Sequence, residues 1–438
     1  MTRLNRPLIY FAVIGLLYLS IGILQSWMLA LTVLNDALIA AVMALGVNMM
    51  WGYAGLFNIG ISGFFALGGL AVVLVSNSAN LEAWNAGTPR ILLSLLCGGA
   101  FVFGGVAAYR KLPSAWLRVV VILLLTGLGW ATFEYVYTPA VEAVEAVNPA
   151  SAGNIGGMGL PVPLAWFVGA GFAAFAAWVV AKIALGLRSD YLAIATLGIG
   201  QIIISVMKNE IWLDRGVKDV YDLHRWPVPK EVNLQNADWF IAAAHSMGID
   251  VRTASALFVG ICFALISATV LVFLLTLAET SLNSPWGRMM RAIRDNEVAA
   301  EAMGKDVKKR HLQIFVLGSA VVGIGGALYA VFHGIFSPHS YDDPLRYTFL
   351  IWAMVILGGS GNNFGSTLGA LVVMLIWIQA ESLGPALMHL ITAHLSDGPL
   401  KSQLINSAVQ IRLPLVGIVL IAVLRFSPRG LLPERSRN

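Results

Sequence analysis

Apolar runs of near-spanning length follow one another along the whole chain, at 8–24, 30–51, 57–75, 91–108, 116–137, 164–185, 191–207, 255–277, 312–332, 347–359, 367–380 and 413–426. A helix rises 1.5 Å per residue, so about 20 apolar residues cross the roughly 30 Å hydrocarbon core of a bilayer. No soluble fold has a surface large enough to hide so many runs, and the charge needed to cover them is missing. Only 12% of the 438 residues are Asp, Glu, Lys or Arg, and 58% are hydrophobic; soluble domains carry about 25% charged residues. Inside a bilayer each segment must satisfy its own backbone, so the runs fold as helices. The expected fold class is an all-α polytopic membrane protein, residues 1–438 forming one domain of about 10–12 transmembrane helices. Soluble enzymes, DNA-binding domains, coiled coils and disordered chains are excluded.

Charge placement orders these runs. Arg3 and Arg6 precede the first run, Leu8 to Leu24, which lacks a small-x-small cleavage site and reads as an uncleaved span. Counting crossings from there, Arg110, Lys111, Arg118, Lys182 and Arg188 fall on the N-terminal side of the membrane. So do the seven basic residues between 284 and 311, and Arg425, Arg429, Arg435 and Arg437 at the end. Loops 76–90, 138–163 and 208–252 fall on the other side. Basic loops collect on the cytoplasmic face, so both termini, the 427–438 tail and the 284–311 segment are expected inside. The 208–252 loop is expected in the periplasm. The net charge of +5 therefore reflects membrane topology and carries no argument for nucleic acid. The runs at 347–359 and 367–380 are short and flank Gly358, Gly359, Gly361 and Gly365, which leaves open a pair of half-spans.

Few residues carry chemistry. There is no phosphate-binding Gly-x-x-x-x-Gly-Lys-Ser/Thr loop and no His-Glu-x-x-His. His389 and His394 are badly spaced for one helical face, and Cys97 and Cys262 lie alone in apolar runs, so no metal site is expected. Asp36 and Glu134 are the carboxylates inside spans, with Lys182 and Glu279 near span ends. An intramembrane carboxylate suggests ion coupling, which makes a self-contained secondary transporter or channel the rival reading. Pairing of Asp36 with a polar neighbour, and a span-end position for Glu134, are the plainer explanations.

The most informative segment is Ser284 to His311, SPWGRMMRAIRDNEVAAEAMGKDVKKRH. It is far more charged than the rest, yet Val298, Ala299, Ala302 and Met303 recur at helical spacing and make one small apolar face. Gly304 stands where a helix stop belongs. Such a helix either lies on anionic lipid or seats in the groove of a soluble partner. The acids Asp295, Glu297, Glu301 and Asp306 oppose attraction to lipid, so docking is the expected role. The contact set is Asp295, Asn296, Glu297, Val298, Ala299, Ala300, Ala302, Met303 and Gly304.

At this segment the chain resembles a known family. Ala299-Ala300-x-x-x-Gly304 followed by nine residues and Ile314 is similar to the cytoplasmic loop signature of ABC-importer permeases, with Val298, Val316 and Leu317 replacing its Glu, Leu and Pro. RAIRDNEVAAEAMGKDV (291–307), GGALYA (325–330), GYAGLFNIGISGFFALGG (52–69), LRSDYLAIATLGIGQII (187–203), VILGGSGNNFGSTLGA (355–370) and LRFSPRGLL (424–432) resemble the branched-chain amino acid permeases of the LivM type. The resemblance implies a bacterial inner-membrane subunit without bound cofactor. It implies a second homologous permease, two cytoplasmic ABC ATPases that bind the ATP and Mg, and a periplasmic binding protein as partners. The solute it implies is a branched-chain or other hydrophobic amino acid, with urea or short amides as the alternative. Asn58, Ile61, Gln201 and Asp214-Arg215-Gly216 depart from common family residues, and 76–140 holds two extra runs. Paired Gly-rich interruptions in two halves point to a passage of broken helices or to close helix packing. The expected passage is lined by Asn58, Ser62, Phe64, Tyr191, Thr196, Gln201, Asn362 and Asn363.

Overall fold

The computed structural model describes residues 5–148, 157–187, 189–210, 216, 218–393 and 398–434. The expectations attached to Arg3, Arg188, Asp214, Arg215, His394, Arg435 and Arg437 lie outside them. The main helices are α1 (Asn5–Leu24), α2 (Trp27–Ala54), α3 (Ile61–Ser76), α4 (Thr88–Lys111), α5 (Ala115–Thr132), α6 (Val162–Ala184) and α7 (Ser189–Asn209). They continue with α8 (Val251–Asn283), α9 (Pro285–Asp295), α10 (Glu297–Ala302), α11 (Val307–His333), α12 (Leu350–Gly358), α13 (Asn363–Ile391) and α14 (Arg412–Phe426). Among the described residues, nine helices are long and apolar enough to cross a membrane, and Ile61–Ser76 and Leu345–Gly358 are shorter apolar ones. The chain is therefore an all-α, multi-pass membrane protein, as its apolar runs require.

Helix ends sit where the sequence supplies caps. The Ser26 side chain accepts from Met28 N–H at the start of α2, and Asp250 accepts from Arg252 and Thr253 at the start of α8. Gly55, at φ 71°, closes α2 in the left-handed conformation that a side chain resists. Asn362 accepts from Phe364 and Gly365 N–H and starts α13.

The buried centre is α11 wrapped by α2, α3 and α6, and its seams are glycine. A Cβ on Gly46 would strike the Gly318 carbonyl, one on Gly68 the Gly323 carbonyl, and one on Gly326 the Phe65 carbonyl. Gly63 meets Gly200 of α7 in the same way. Lipid is as apolar as a leucine side chain and offers no solvent drive for helix association, so close backbone approach and dispersion supply it. In the first Gly-rich block this is the packing alternative realised.

Two loops mark opposite ends of the bundle. Val220–Tyr221 pairs antiparallel with Ile335–Phe336, just beyond the C-terminal end of α11. Helices α9 and α10 precede its N-terminal end, and 27 helical residues span about 40 Å. The Val220–Tyr221 strand and helices α9 and α10 thus lie at opposite ends of α11.

Of the two short runs, only the first is short in the structure. It forms a π-helical turn (Leu345–Phe349) and nine-residue α12, whereas the second belongs to the 29-residue α13. The additional region forms the hairpin α4–α5, which runs on through a π-helical turn into a helix ending at Val147. Its own small core, Ala83, Ile91, Tyr137, Ala140, Val141 and Val144, is separate from the main one.

Candidate functional site

The 284–306 stretch folds as two helices, α9 and α10, and α11 begins at Val307. α9 is amphipathic: Gly287, Met290 and Ile293 face inward, and Arg291 donates to the Leu282 carbonyl at 3.1 Å. Asn296 breaks it with extended backbone and restarts the chain as a cap, its side chain accepting from Ala299 N–H at 3.0 Å. The six-residue α10 then buries none of its residues. Val298 and Met303 are 77% and 78% exposed, so the apolar face read from spacing points away from the protein. Gly304 takes φ 74°. Its N–H donates to Glu301 O (2.8 Å) while Lys305 N–H donates to Ala300 O (3.1 Å), the two bonds of a Schellman stop. Sequence spacing placed Asp295 inside a single helix over 295–304; in the structure it ends α9, because the Asn296 side chain competes for the backbone.

Behind this exposed helix one guanidinium joins three parts of the chain. Arg294 pairs with Asp295 (3.2 Å) and Glu434 (3.0 Å) and donates to the Gly52 carbonyl near the end of α2. Glu434 ends a strap that lies across the break between α12 and α13. Leu431 and Leu432 N–H donate to Leu357 O and Gly358 O, both at 2.9 Å, and Asn362 Nδ2 donates to Pro433 O at 3.2 Å. Gly361 sits so close that a Cβ there would meet both Glu434 and Arg294.

A second polar knot lies one turn deeper. Asn48 Nδ2 donates to Asn363 Oδ1 (2.9 Å), Asn48 Oδ1 accepts from Gly361 N–H (2.9 Å), and Asn363 Nδ2 donates to Glu279 Oε1 (3.0 Å). Asn48 and Asn363 are fully buried. In an apolar interior each such amide must find partners, and here they come from α2, from the break before α13 and from Glu279 of α8. Asn48 escaped the sequence reading, because a lone Asn in an apolar run gives no spacing signal. Glu434 escaped for the same reason in the tail.

The remaining expected path residues are only partly assembled. Asn58, Ser62, Phe64 and Thr196 are buried around the start of α3. Ile59 N–H donates to Thr196 Oγ1 at 3.1 Å, and the Trp352 indole donates to Asn58 O at 3.1 Å. Trp352 thereby links the first break to α12, with its ring 4.3 Å from that of Phe57 and 4.8 Å from that of Trp51. Phe64 packs edge-on against Phe315. Ser62 Oγ and Gln201 Nε2 are buried without a hydrogen-bond partner among the described residues. Asn362 serves as a helix cap, and Tyr191 is 62% exposed.

Toward the opposite end, Asp36 has the polar neighbour expected of it. It lies 3.7 Å from His333 Nε2 and shares a cavity of about 20 Å³, room for one water, with Arg346, Tyr329 and Tyr347. His333 and Arg346 come from α11 and the turn before α12, so only the fold brings these groups to Asp36. Glu134 sits exposed in the π-helical turn that follows α5. The described residues contain no cluster of three or more His, Cys, Asp or Glu able to hold a metal.

Glycine-seamed helices around a buried polar knot, with a short exposed helix at one end, define a multi-pass membrane protein. The profile of the family described as branched-chain amino acid transport system, permease component, matches residues 29–142 and 112–424. The chain belongs to that family. It is 26% identical over 364 residues to a probable branched-chain amino acid transport permease protein LivM of Methanocaldococcus jannaschii, covering 83% of this chain and 90% of that one. Over 211 residues it is 29% identical to the high-affinity branched-chain amino acid transport system permease protein LivM of Escherichia coli, 46% of this chain and 47% of that one. The LivM of Salmonella typhimurium is 28% identical over 199 residues, 43% of this chain and 44% of that one. No solved structure matches the chain.

Proposed function

We propose that this chain is the membrane-spanning subunit of an ATP-driven importer of branched-chain or other hydrophobic amino acids. It works beside a second permease subunit, takes solute from a periplasmic binding protein, and sits in the inner membrane with both termini inside. ATP and Mg are handled by two cytoplasmic ATPase subunits that dock on α10. The observation that carries this reading is α10 itself: an apolar face held fully outside the protein, capped at both ends, and wired through Arg294 to both interrupted segments.

The wiring suggests how work passes. A push on α10 moves Asn296 and the end of α9, and Arg294 carries that motion to Gly52 and, through Glu434, to the strap over Gly358–Asn362. The first break and the second then move together, because Asn48 ties α2 to Asn363. Asn58, Ser62 and Thr196, neutral and small, flank the first break and suit brief contact with a zwitterion that must be released again.

The test is Ala300→Asp in the complete transporter, assayed by ATPase co-purification and by substrate-stimulated ATP hydrolysis in vesicles. A carboxylate buried without a partner at such an interface costs several kcal/mol, so co-purification should fall by orders of magnitude while the permease still folds. Normal co-purification and normal stimulation would show that α10 is not the docking element. The solute is settled by which amino acid the companion binding protein retains.

A further inference from the structure

We propose that the cleft between α2, α9, α12 and α14 binds the phosphate-bearing headgroup of an anionic membrane lipid. It encloses about 680 Å³. Arg288, Arg291, Arg294 and Arg429 line it, with Asp295 and Glu434 as its acids. Both acids are already held by Arg294. The other three guanidiniums have no carboxylate partner among the described residues. Arg288 and Arg291 each donate to a carbonyl at the end of α8, Asn283 O at 3.3 Å and Leu282 O at 3.1 Å. Those contacts aim the side chains and leave most of their five donors free. Arg429 makes no side-chain contact of this kind among the described residues.

Depth selects the ligand. Trp51, Ile356 and Leu424 form the apolar part of the lining, and each lies within three residues of the end of its helix. The cleft therefore opens where hydrocarbon gives way to water, the level at which lipid phosphates lie, with Trp51 in the interfacial position typical of indoles. Beside it α14 turns Ile418 and Ile421, 63% and 70% exposed, outward as a wall for acyl chains. A free inorganic anion would need no such wall. An ATPase would meet the exposed face of α10 instead, which carries no basic residue. Basic pockets between helices on the cytoplasmic side are the usual seats of acidic headgroups. The inference rests on the chain's spanning a membrane and not on the identity of its solute.

The experiment is native mass spectrometry of the delipidated transporter titrated with phosphatidylglycerol or with phosphatidylcholine of the same acyl chains. Phosphatidylglycerol should be retained at least tenfold more tightly. Arg288→Gln with Arg429→Gln should weaken it about 25-fold, roughly fivefold per lost charge, and leave phosphatidylcholine unchanged. Arg429→Lys in the Arg288→Gln background should recover much of the loss. Arg110→Gln with Lys111→Gln, an equal charge change at the end of α4, should have no effect. Equal retention of the two lipids by the unaltered protein would overturn the proposal without recourse to any variant. So would an equal loss in the α4 control, displacement of the lipid by millimolar inorganic phosphate, or loss of bound ATPase in place of lipid.

Discussion

The helices α2, α3 and α11 and the hairpin α4–α5 are about equally apolar, yet they are built on opposite rules. In α11, 78% of the most apolar window is buried inside the protein; in the segment Ala115–Val147 none of it is. Glycines tell the same story. Gly46, Gly68, Gly318, Gly323 and Gly326 press against neighbouring backbone, while Gly98, Gly99, Gly105 and Gly127 have nothing within 4 Å of where a Cβ would stand. Composition alone does not separate a packing glycine from an idle one. What the comparison teaches is that hydropathy reports residence in the membrane, and only close approach reports a core.

The sharpest way to break this comparison is the same substitution in both regions. Gly326→Val drives branched carbon into the Phe65 carbonyl, a backbone atom that cannot step aside, so it should cost more than the usual 1–3 kcal/mol of overpacking. Loss of a monodisperse folded peak in detergent is the expected readout; a normal peak would mean the seams are looser than the structure shows. A smaller effect is expected from Asn48→Ala, which leaves Asn363 and the Gly361 N–H short of partners in the interior. About 1–3 kcal/mol of stability should go, seen as a lower melting temperature, and uptake should fall because the two breaks lose their tie. Asp36→Asn keeps a neutral hydrogen-bonding group beside His333 and should leave substantial ATP-driven uptake. Complete loss of uptake in a normally assembled Asp36→Asn transporter would revive ion coupling through this carboxylate. The smallest effect belongs to Gly105→Val in the hairpin, which should leave melting and uptake unchanged within error. A large effect there would reveal a partner on a face that is bare in this chain.

Much of the site was legible beforehand and much was not, for reasons visible in particular residues. Val298, Ala299, Ala302 and Met303 share a face by spacing alone, and Gly304 reads as a stop, because a helix of six residues is a local object. Asn296 as a break between two helices was missed, since its cap competes with a helix that spacing equally allowed. Arg294 stood out as one basic residue among seven. Nothing local says that it meets Gly52 and Glu434, which are 242 and 140 positions away. Gly-rich blocks were visible as interruptions, but whether they line a passage or seal a seam depends on what faces them.

The amino-acid sequence by itself determined residence in the membrane, the helical class, the expected alternation of the loops and the short helix over Glu297–Ala302. Each follows from properties that need only neighbours along the chain: the length of an apolar run, the side on which arginines collect, the period of a helical face. Tertiary structure decided the rest. It chose which glycines are seams, gave Asp36 its histidine, closed Asn48 onto Asn363, and gathered Arg294, Gly52 and Glu434 into one knot. Those outcomes belong to backbone approach and polar satisfaction between distant segments, where an atom's meaning is set by what the fold brings against it.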